Sequence, residues 1–152
     1  MASTTFSGPV TSTNGFIGAL TGNVTGSIGI GKVTHTAVAI NATATATAAQ
    51  VATGYISSTS AAGTVITLPT GTLLGAALSA VQGTILDLYI DNTAGASTVT
   101  IAVAANGILS AAAAAGSGAA AGLLTVPSGV TGQGRFTLMF SSATAYTFTR
   151  TA

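Results

Sequence analysis

The sequence contains no cysteine, no glutamate and a single histidine. Disulfides, zinc sites built from cysteine and histidine, cysteine nucleophiles and paired-glutamate catalysis therefore have no residues to use. We predict a protein that is not an enzyme, with no catalytic residues, no metal site, no cofactor and no small-molecule substrate.

Charge is also scarce, because charged residues make up 3% of the chain, against roughly 25% in ordinary globular domains. The formal net charge is +1. Each phosphate that a protein neutralises needs its own Lys or Arg, so we expect no nucleic-acid partner. A surface with so little charge gives weak repulsion between copies, so we expect the protein to be part of an assembly.

Small residues fill most of the chain. Ala (31), Thr (28), Gly (20) and Ser (14) occupy 93 of the 152 positions. Leu, Ile, Val and Phe supply another 37, and this content, with a net charge near zero, exceeds that of chains that stay disordered. We therefore expect one folded domain with an appendage.

No targeting or membrane segment is predicted. The first eight residues lack the basic and apolar regions of a secretory signal. Residues 101–126 carry no charge, but they are rich in Ala and Gly, include Asn106, and have no Lys or Arg flanks. We expect a small-residue loop between strands in this stretch, and no membrane partner.

Residues 1–31 have a pattern of their own. Glycines at 18, 22 and 26 alternate with Leu20, Val24 and Ile28, and in an extended strand all six would share one face. Such a ribbon buries too little surface to be stable alone in water. We predict an extended Gly/Thr-rich N-terminal arm that lies against other chains, with a flexible linker as the alternative.

Larger apolar residues stand out in this arm, and aromatic anchors supply much of the energy of buried interfaces. Packing back onto their own domain is the alternative role for Phe6, Pro9 and Phe16. The predicted contact residues of the arm are Phe6, Pro9, Phe16, Ile17, Leu20, Val24 and Ile28.

Beyond the arm, runs rich in β-branched residues are bounded by Gly, Pro and Asn, a pattern typical of strands. Predicted strands lie at 33–40, 52–60, 64–68, 83–91, 97–104, 121–126, 134–141 and 144–150. One short helix is predicted at 70–81, after Pro69. The expected fold is all-β, an antiparallel β-sandwich or jelly roll over 32–152, with 1–31 as the arm.

Two predicted strands alternate clearly between apolar and polar faces. Leu86, Leu88 and Ile90 oppose the odd-numbered residues 85–91, and in the later strand Phe136, Leu138 and Phe140 oppose 135, 137 and 139. We therefore expect the even-numbered residues of each strand to share one face and the odd-numbered residues the other.

The few polar candidates have simple structural interpretations. Asp87 and Asp91 share a strand face, where acid–base work or cation binding with Asn92 is conceivable, but an exposed face or a turn is expected. A lone His35 is expected to be a hydrogen-bonded strand residue. Arg135 and Arg150 are expected to pair with the aspartates across the sheet or with a neighbouring subunit.

A series of short segments spread over most of the chain has a familiar pattern: residues 5–12, 14–16, 45–50, 54–59, 67–70, 74, 77–78, 82–83, 87, 90–93, 98–102, 134–136, 140 and 149–150. In these segments the chain resembles small structural proteins of tailed bacteriophages, particularly marine ones. The resemblance implies a virion surface component, either a head decoration (cement) protein or a fibre module. We expect a decoration protein on the outer capsid surface, which binds the major capsid protein as a homotrimer. The 111–122 stretch departs from the pattern because it is longer and richer in Ala.

Two other function classes stay open. A tail-fibre or receptor-binding module would use the arm as a trimeric shaft and the domain as its tip. Thr-x-Thr pairs, such as Thr34/Thr36 and Thr98/Thr100, also suggest an ice-binding or adhesive surface. That function needs a constant spacing between threonine rows, and the spacing here is irregular.

Overall fold

The computed structural model describes residues 34–104, the backbone of 107–109, and residues 124–151. All of them belong to the unit that runs from Thr34 to Ala152. The predicted arm, with its seven contact residues, and most of the small-residue loop at 101–126 lie outside the described residues.

The described residues form a β-rich fold with ten strands, two α-helices and one short 3₁₀ helix, Gly129–Thr131. The helices are α1 (Ala48–Ala52) and α2 (Gly71–Leu78). The strands are β1 (Val38–Ala39), β2 (Ala44–Thr45), β3 (Tyr55–Ser57), β4 (Thr64–Leu68), β5 (Ile85–Asp91), β6 (Val99–Val103), β7 (Gly107–Leu109), β8 (Thr125–Val126), β9 (Gln133–Ser142) and β10 (Ala145–Arg150).

The strands form two sheets. The six-stranded sheet has the order β1-β3-β5-β9-β10-β7, and the four-stranded sheet has the order β2-β4-β6-β8. From β1 to β8 the chain changes sheet at every strand, and only the β9–β10 hairpin stays within one sheet.

Both sheets are mixed, so the prediction of antiparallel sheets was wrong. Pairs β1–β3, β3–β5, β2–β4, β4–β6 and β7–β10 are parallel, whereas β5–β9, β9–β10 and β6–β8 are antiparallel. The physical reason is the alternation between sheets. A chain that passes through the other sheet before it returns pairs with its earlier strand in the same direction. Residue periodicity shows which face a side chain occupies, but it does not show the direction of the strand.

All eight predicted strands have counterparts, and the predicted helix is α2. Thr70 caps it, its hydroxyl accepting from the Leu73 amide at 3.3 Å. The expectation of one helix was wrong, because α1 is also present. Its five residues are too few for a visible 3.6-residue period, but Thr47 and Gln50 form a capping box that marks its start.

A single apolar core takes residues from both sheets and from the helices. The predicted alternation of β5 and β9 is confirmed, since Leu88, Ile90, Phe136, Leu138 and Phe140 are buried and Leu86 is partly buried. Phe136 stacks on Phe148 of β10, with 4.9 Å between ring centroids. These aromatic residues concentrate buried apolar area in a chain that has few large side chains.

The hairpin and helix α2 are joined at this core. The Tyr146 hydroxyl donates to the Pro69 carbonyl at 2.9 Å, and burial raises the pKa of Tyr146 to about 12. A Cβ at Gly75 would overlap the Ala143 carbonyl oxygen. The missing side chain at Gly75 therefore allows α2 to lie against the hairpin turn.

Asn92 holds two loops together beneath the end of β5. It is fully buried, and its amide nitrogen lies within hydrogen-bond distance of the carbonyls of Ser97 (2.8 Å), Val126 (3.1 Å) and Pro127 (3.0 Å). Its backbone amide donates to the Gly132 carbonyl at 2.6 Å. One side chain thus ties the β5–β6 loop to the segment after β8.

Candidate functional site

The outer surface of the six-stranded sheet gathers most of the described ionisable side chains. Register pairs Tyr55 of β3 with Tyr89 of β5, and Tyr89 with Arg135 of β9. It likewise pairs Asp91 with Gln133. We call the surface formed by Tyr55, Asp87, Tyr89, Asp91, Gln133, Arg135 and Thr137 the polar face.

An ion pair occupies the middle of the polar face. Arg135 Nη2 lies 2.6 Å from Asp87 Oδ2, and the Thr137 hydroxyl donates to Asp87 Oδ1 at 2.9 Å. The hydrogen bond from Arg135 lowers the pKa of Asp87, with a smaller contribution from Thr137, while partial burial opposes the shift. This confirms the expectation that Arg135 pairs with an aspartate across the sheet.

Asp91 is fixed at the end of β5 by its neighbours. Its Oδ2 accepts from the Tyr55 hydroxyl at 2.5 Å, and its Oδ1 accepts from the Thr93 amide and hydroxyl at 3.0 and 2.7 Å. The Tyr55 hydrogen bond, followed by those of Thr93, lowers the pKa of Asp91. The same bond raises the pKa of Tyr55. The contacts with Thr93 form the turn expected at this position.

Aromatic and cationic groups surround Tyr89. The Arg135 guanidinium carbon lies over the Tyr89 ring, 5.8 Å from its centroid. The His35 and Tyr89 ring centroids are 5.6 Å apart, and His35 Nδ1 lies 2.9 Å from the Thr53 carbonyl. His35 is therefore hydrogen-bonded, as expected, although it precedes β1 rather than lying in a strand.

A cavity of about 250 Å³ opens on the polar face. Strands β3, β5 and β9 supply its walls, so its shape is set by rigid backbone rather than by loops. The residues that line it are Tyr55, Tyr89, Ile90, Asp91, Gln133, Gly134 and Arg135.

The conceivable cation site at Asp91 and Asn92 does not converge. Consecutive strand residues point to opposite sides of a sheet, so Asp91 lies on the polar face while Asn92 is buried. Within the described ranges, no three residues of His, Cys, Asp or Glu are grouped closely enough to hold a metal ion.

Arg150 does not join the polar face. Its Nη1 donates to the Thr125 carbonyl at 2.6 Å, and its guanidinium carbon is 5.9 Å from the Phe136 ring centroid. Period-two alternation explains the placement, because β10 pairs Arg150 with the inward-facing Phe136. Of the residues described, no helix is long and apolar enough to cross a membrane.

Sequence reasoning missed that Tyr55 and Tyr89 lie side by side. Their separation in the chain and the parallel β3–β5 pairing hid the contact. Gln133 was missed as well, because it lies just outside the predicted strand 134–141. The odd-numbered polar residues of β5 indicated that this side of the strand faces outward. They did not indicate which strands lie beside it.

Acid should destabilise the domain through the two aspartates. A carboxyl group whose folded pKa lies below its unfolded pKa stabilises the fold above the unfolded value, and that contribution is lost as pH falls through the folded pKa. Because Asp87 and Asp91 are the only side-chain carboxylates in the chain, urea-unfolding stability should fall as pH drops from about 5 to about 2.

The double variant Asp87→Asn/Asp91→Asn should show a much flatter acid limb in the same urea titrations. A fall as steep as that of the unaltered protein would place the acid sensitivity elsewhere.

The comparisons with known proteins identify no relative: no family model, no curated protein and no solved structure matches the chain.

Proposed function

We propose that this protein is a non-enzymatic capsid decoration protein of a tailed bacteriophage, which binds the outer shell and stabilises it. The observation that carries the proposal is that the few charged side chains described in the domain are engaged in contacts within it. Both aspartates, the only acidic side chains in the chain, have partners inside the domain, so its exterior offers little for charge-based binding. The resemblance to phage virion proteins supports the location.

The chemistry of the polar face supports a binding rather than a catalytic role. A general acid at neutral pH needs a pKa raised towards the working pH. The pKa values of Asp87 and Asp91 are both lowered, so both stay ionised. Paired catalytic carboxyl groups have environments that push their pKa values apart, and here the two shifts have the same direction.

The finer architecture is part of the proposal. The two sheets pack as a β-sandwich over residues 32–152, with mixed strand directions, and residues 1–31 form the arm. Inward-facing residues from both sheets in one core support the sandwich. The Gly/aliphatic face at Leu20, Val24 and Ile28 supports attachment through the arm, and three arms in a homotrimer would bury it.

Stabilisation follows from selective binding. A ligand that binds the assembled lattice of the major capsid protein and not its free subunits shifts the equilibrium towards the assembled state. Bridging between capsomers through the arm is therefore sufficient for the proposed activity, and no chemical step is needed.

Release from the particle should depend little on salt. Screening weakens exposed ion pairs and leaves apolar burial almost unchanged, and the proposed contact contains no charged residue. Sedimentation of decorated particles should give the same bound fraction, within about twofold, from about 0.05 to 1 M NaCl. Steep release as salt rises would identify an ionic contact instead.

Copy number on purified particles tests the proposal against its alternative. Quantitative mass spectrometry against the major capsid protein should give hundreds of copies per particle for a decoration protein. A few dozen copies or fewer would support the tail-fibre or receptor-binding module, with the arm as a trimeric shaft. Absence from the particles would reject both.

A further inference from the structure

The cavity on the polar face has the composition of a ligand site. The chain has three tyrosines, and two of them line this cavity together with a carboxylate, an amide and a guanidinium. We propose that this cavity binds a single neutral sugar ring, as found in a glycan or as a free monosaccharide. The inference is independent of the capsid role, because it concerns the domain and not the arm.

The size of the cavity limits the ligand. Its volume of about 250 Å³ lies below the roughly 300 to 1,000 Å³ typical of sites for drug-sized ligands. One ring fits such a space better than an extended chain or a dinucleotide. Because strands form the walls, the site exists before the ligand arrives, which reduces the ordering cost of binding.

The chemistry of the lining fits the two kinds of surface on a sugar ring. Tyrosine rings offer flat apolar area with a polar tip, suited to the C–H face of a pyranose. Each sugar hydroxyl both donates and accepts, and the rim supplies groups of both kinds. Asp91 accepts, Arg135 donates, and the exposed Gln133 amide does both.

Spare hydrogen-bonding capacity remains on the fixed groups. Ionised Asp91 has about four lone-pair positions, and Tyr55 and Thr93 fill three of them. Arg135 has five N–H donors, and one hydrogen bond to Asp87 engages it in the polar face. Both groups are held in place yet can accept or donate one bond more.

The charge balance favours a neutral ligand. Asp87 neutralises Arg135 at 2.6 Å, so no free cation remains on the polar face to attract a phosphate or sulfate. The Asp91 carboxylate is already stabilised by the hydroxyl donors of Tyr55 and Thr93 and by the Thr93 amide. A polyhydroxylated neutral ring can form hydrogen bonds with Asp91 and Arg135 without bringing a further charge into the cavity.

Nuclear magnetic resonance of the full chain tests the assignment. Methyl glycosides of glucose, galactose and mannose are titrated to about 50 mM, with sorbitol as a polyol that has hydroxyls but no rigid ring. At least one glycoside should shift the amide signals of Tyr55, Tyr89 and Gln133 with a millimolar Kd, about −4 kcal/mol at 1 mM, and sorbitol should not. No shift with any of the three glycosides, or equal shifts with sorbitol, would overturn the proposal.

Three variants locate the binding. Tyr89→Ala should raise the Kd about tenfold, and Gln133→Ala about threefold, because each removes one lining group. Met139→Ala is the matched control, since Met139 is exposed on the same face of β9 but outside the cavity, and its Kd should not change. If Tyr89→Ala does not fold, the Gln133→Ala variant still tests the site, because Gln133 is exposed. Equal Kd values for Gln133→Ala and Met139→Ala would contradict the site.

Discussion

Replacing Asn92 with aspartate should lower the free energy of unfolding by about 3 to 5 kcal/mol. The buried amide nitrogen faces three carbonyl oxygens, and the substitution puts a carboxylate oxygen in its place. Lost donors and repulsion between oxygens then add to the cost of a buried charge. Since domains of this kind have only about 5 to 15 kcal/mol of stability, the loss is a large fraction of the total.

Thermal and urea unfolding followed by circular dichroism measure this effect. Asn41→Asp is the matched control, because Asn41 is exposed and its Oδ1 accepts from the Thr59 amide at 2.8 Å, a bond that aspartate keeps. Asn41→Asp should cost less than about 0.5 kcal/mol. Similar losses in the two variants would mean that the Asn92 amide does not join the loops.

How far the sequence predicts this fold depends on what residue patterns encode. Alternation on β5 and β9 separated the face with Leu88 and Phe136, which the structure buries, from the polar face, because side chains alternate between the two sides of a strand. Whether neighbouring strands run parallel or antiparallel could not be predicted. The residue pattern of a strand is the same whether its partner is the next strand of a hairpin or a strand that follows a passage through the other sheet. Very short elements, such as β2 (Ala44–Thr45) and α1 (Ala48–Ala52), were lost because they span too few residues for a period.

The same limit applies to the candidate site. The Asp87–Arg135 pair was predictable, because two alternating strands placed both residues on outer faces. Asn92 was interpreted as a turn residue or cation ligand, and its role as a buried clamp depends on carbonyls more than thirty residues away. Long-range pairing of this kind has no signature in one sequence.

On the proposed capsid role, removing residues 1–31 should abolish binding to particles while the remaining domain stays folded. Burying a large apolar side chain contributes roughly 1.5 to 3 kcal/mol, so the apolar residues of three arms would supply most of a shell contact after ordering costs. The apparent affinity for particles should therefore fall at least about a hundredfold, which corresponds to roughly 2.7 kcal/mol. Circular dichroism of the truncated chain should still show a β-rich domain with cooperative unfolding.

A matched pair of single substitutions tests whether binding depends on the Gly/aliphatic face of the arm or only on the arm being present. Val24→Asp places a charge on the predicted Gly/aliphatic face, where burial without a partner is costly. Thr25→Asp adds the same charge on the opposite face of the same extended segment. Val24→Asp should weaken particle binding at least about tenfold, and Thr25→Asp should change it little.

On the proposed capsid role, binding to phage particles that have been stripped of this protein distinguishes attachment through the arm from attachment through the β-rich domain. Bound copies per particle are measured by sedimentation at increasing concentrations of the full chain, of the chain starting at residue 32, and of the Val24→Asp and Thr25→Asp variants. The full chain and Thr25→Asp should saturate at hundreds of copies, Val24→Asp should bind much more weakly, and the truncated chain should not bind. Wild-type occupancy by the truncated chain would contradict attachment through the arm and move the contact to the β-rich domain.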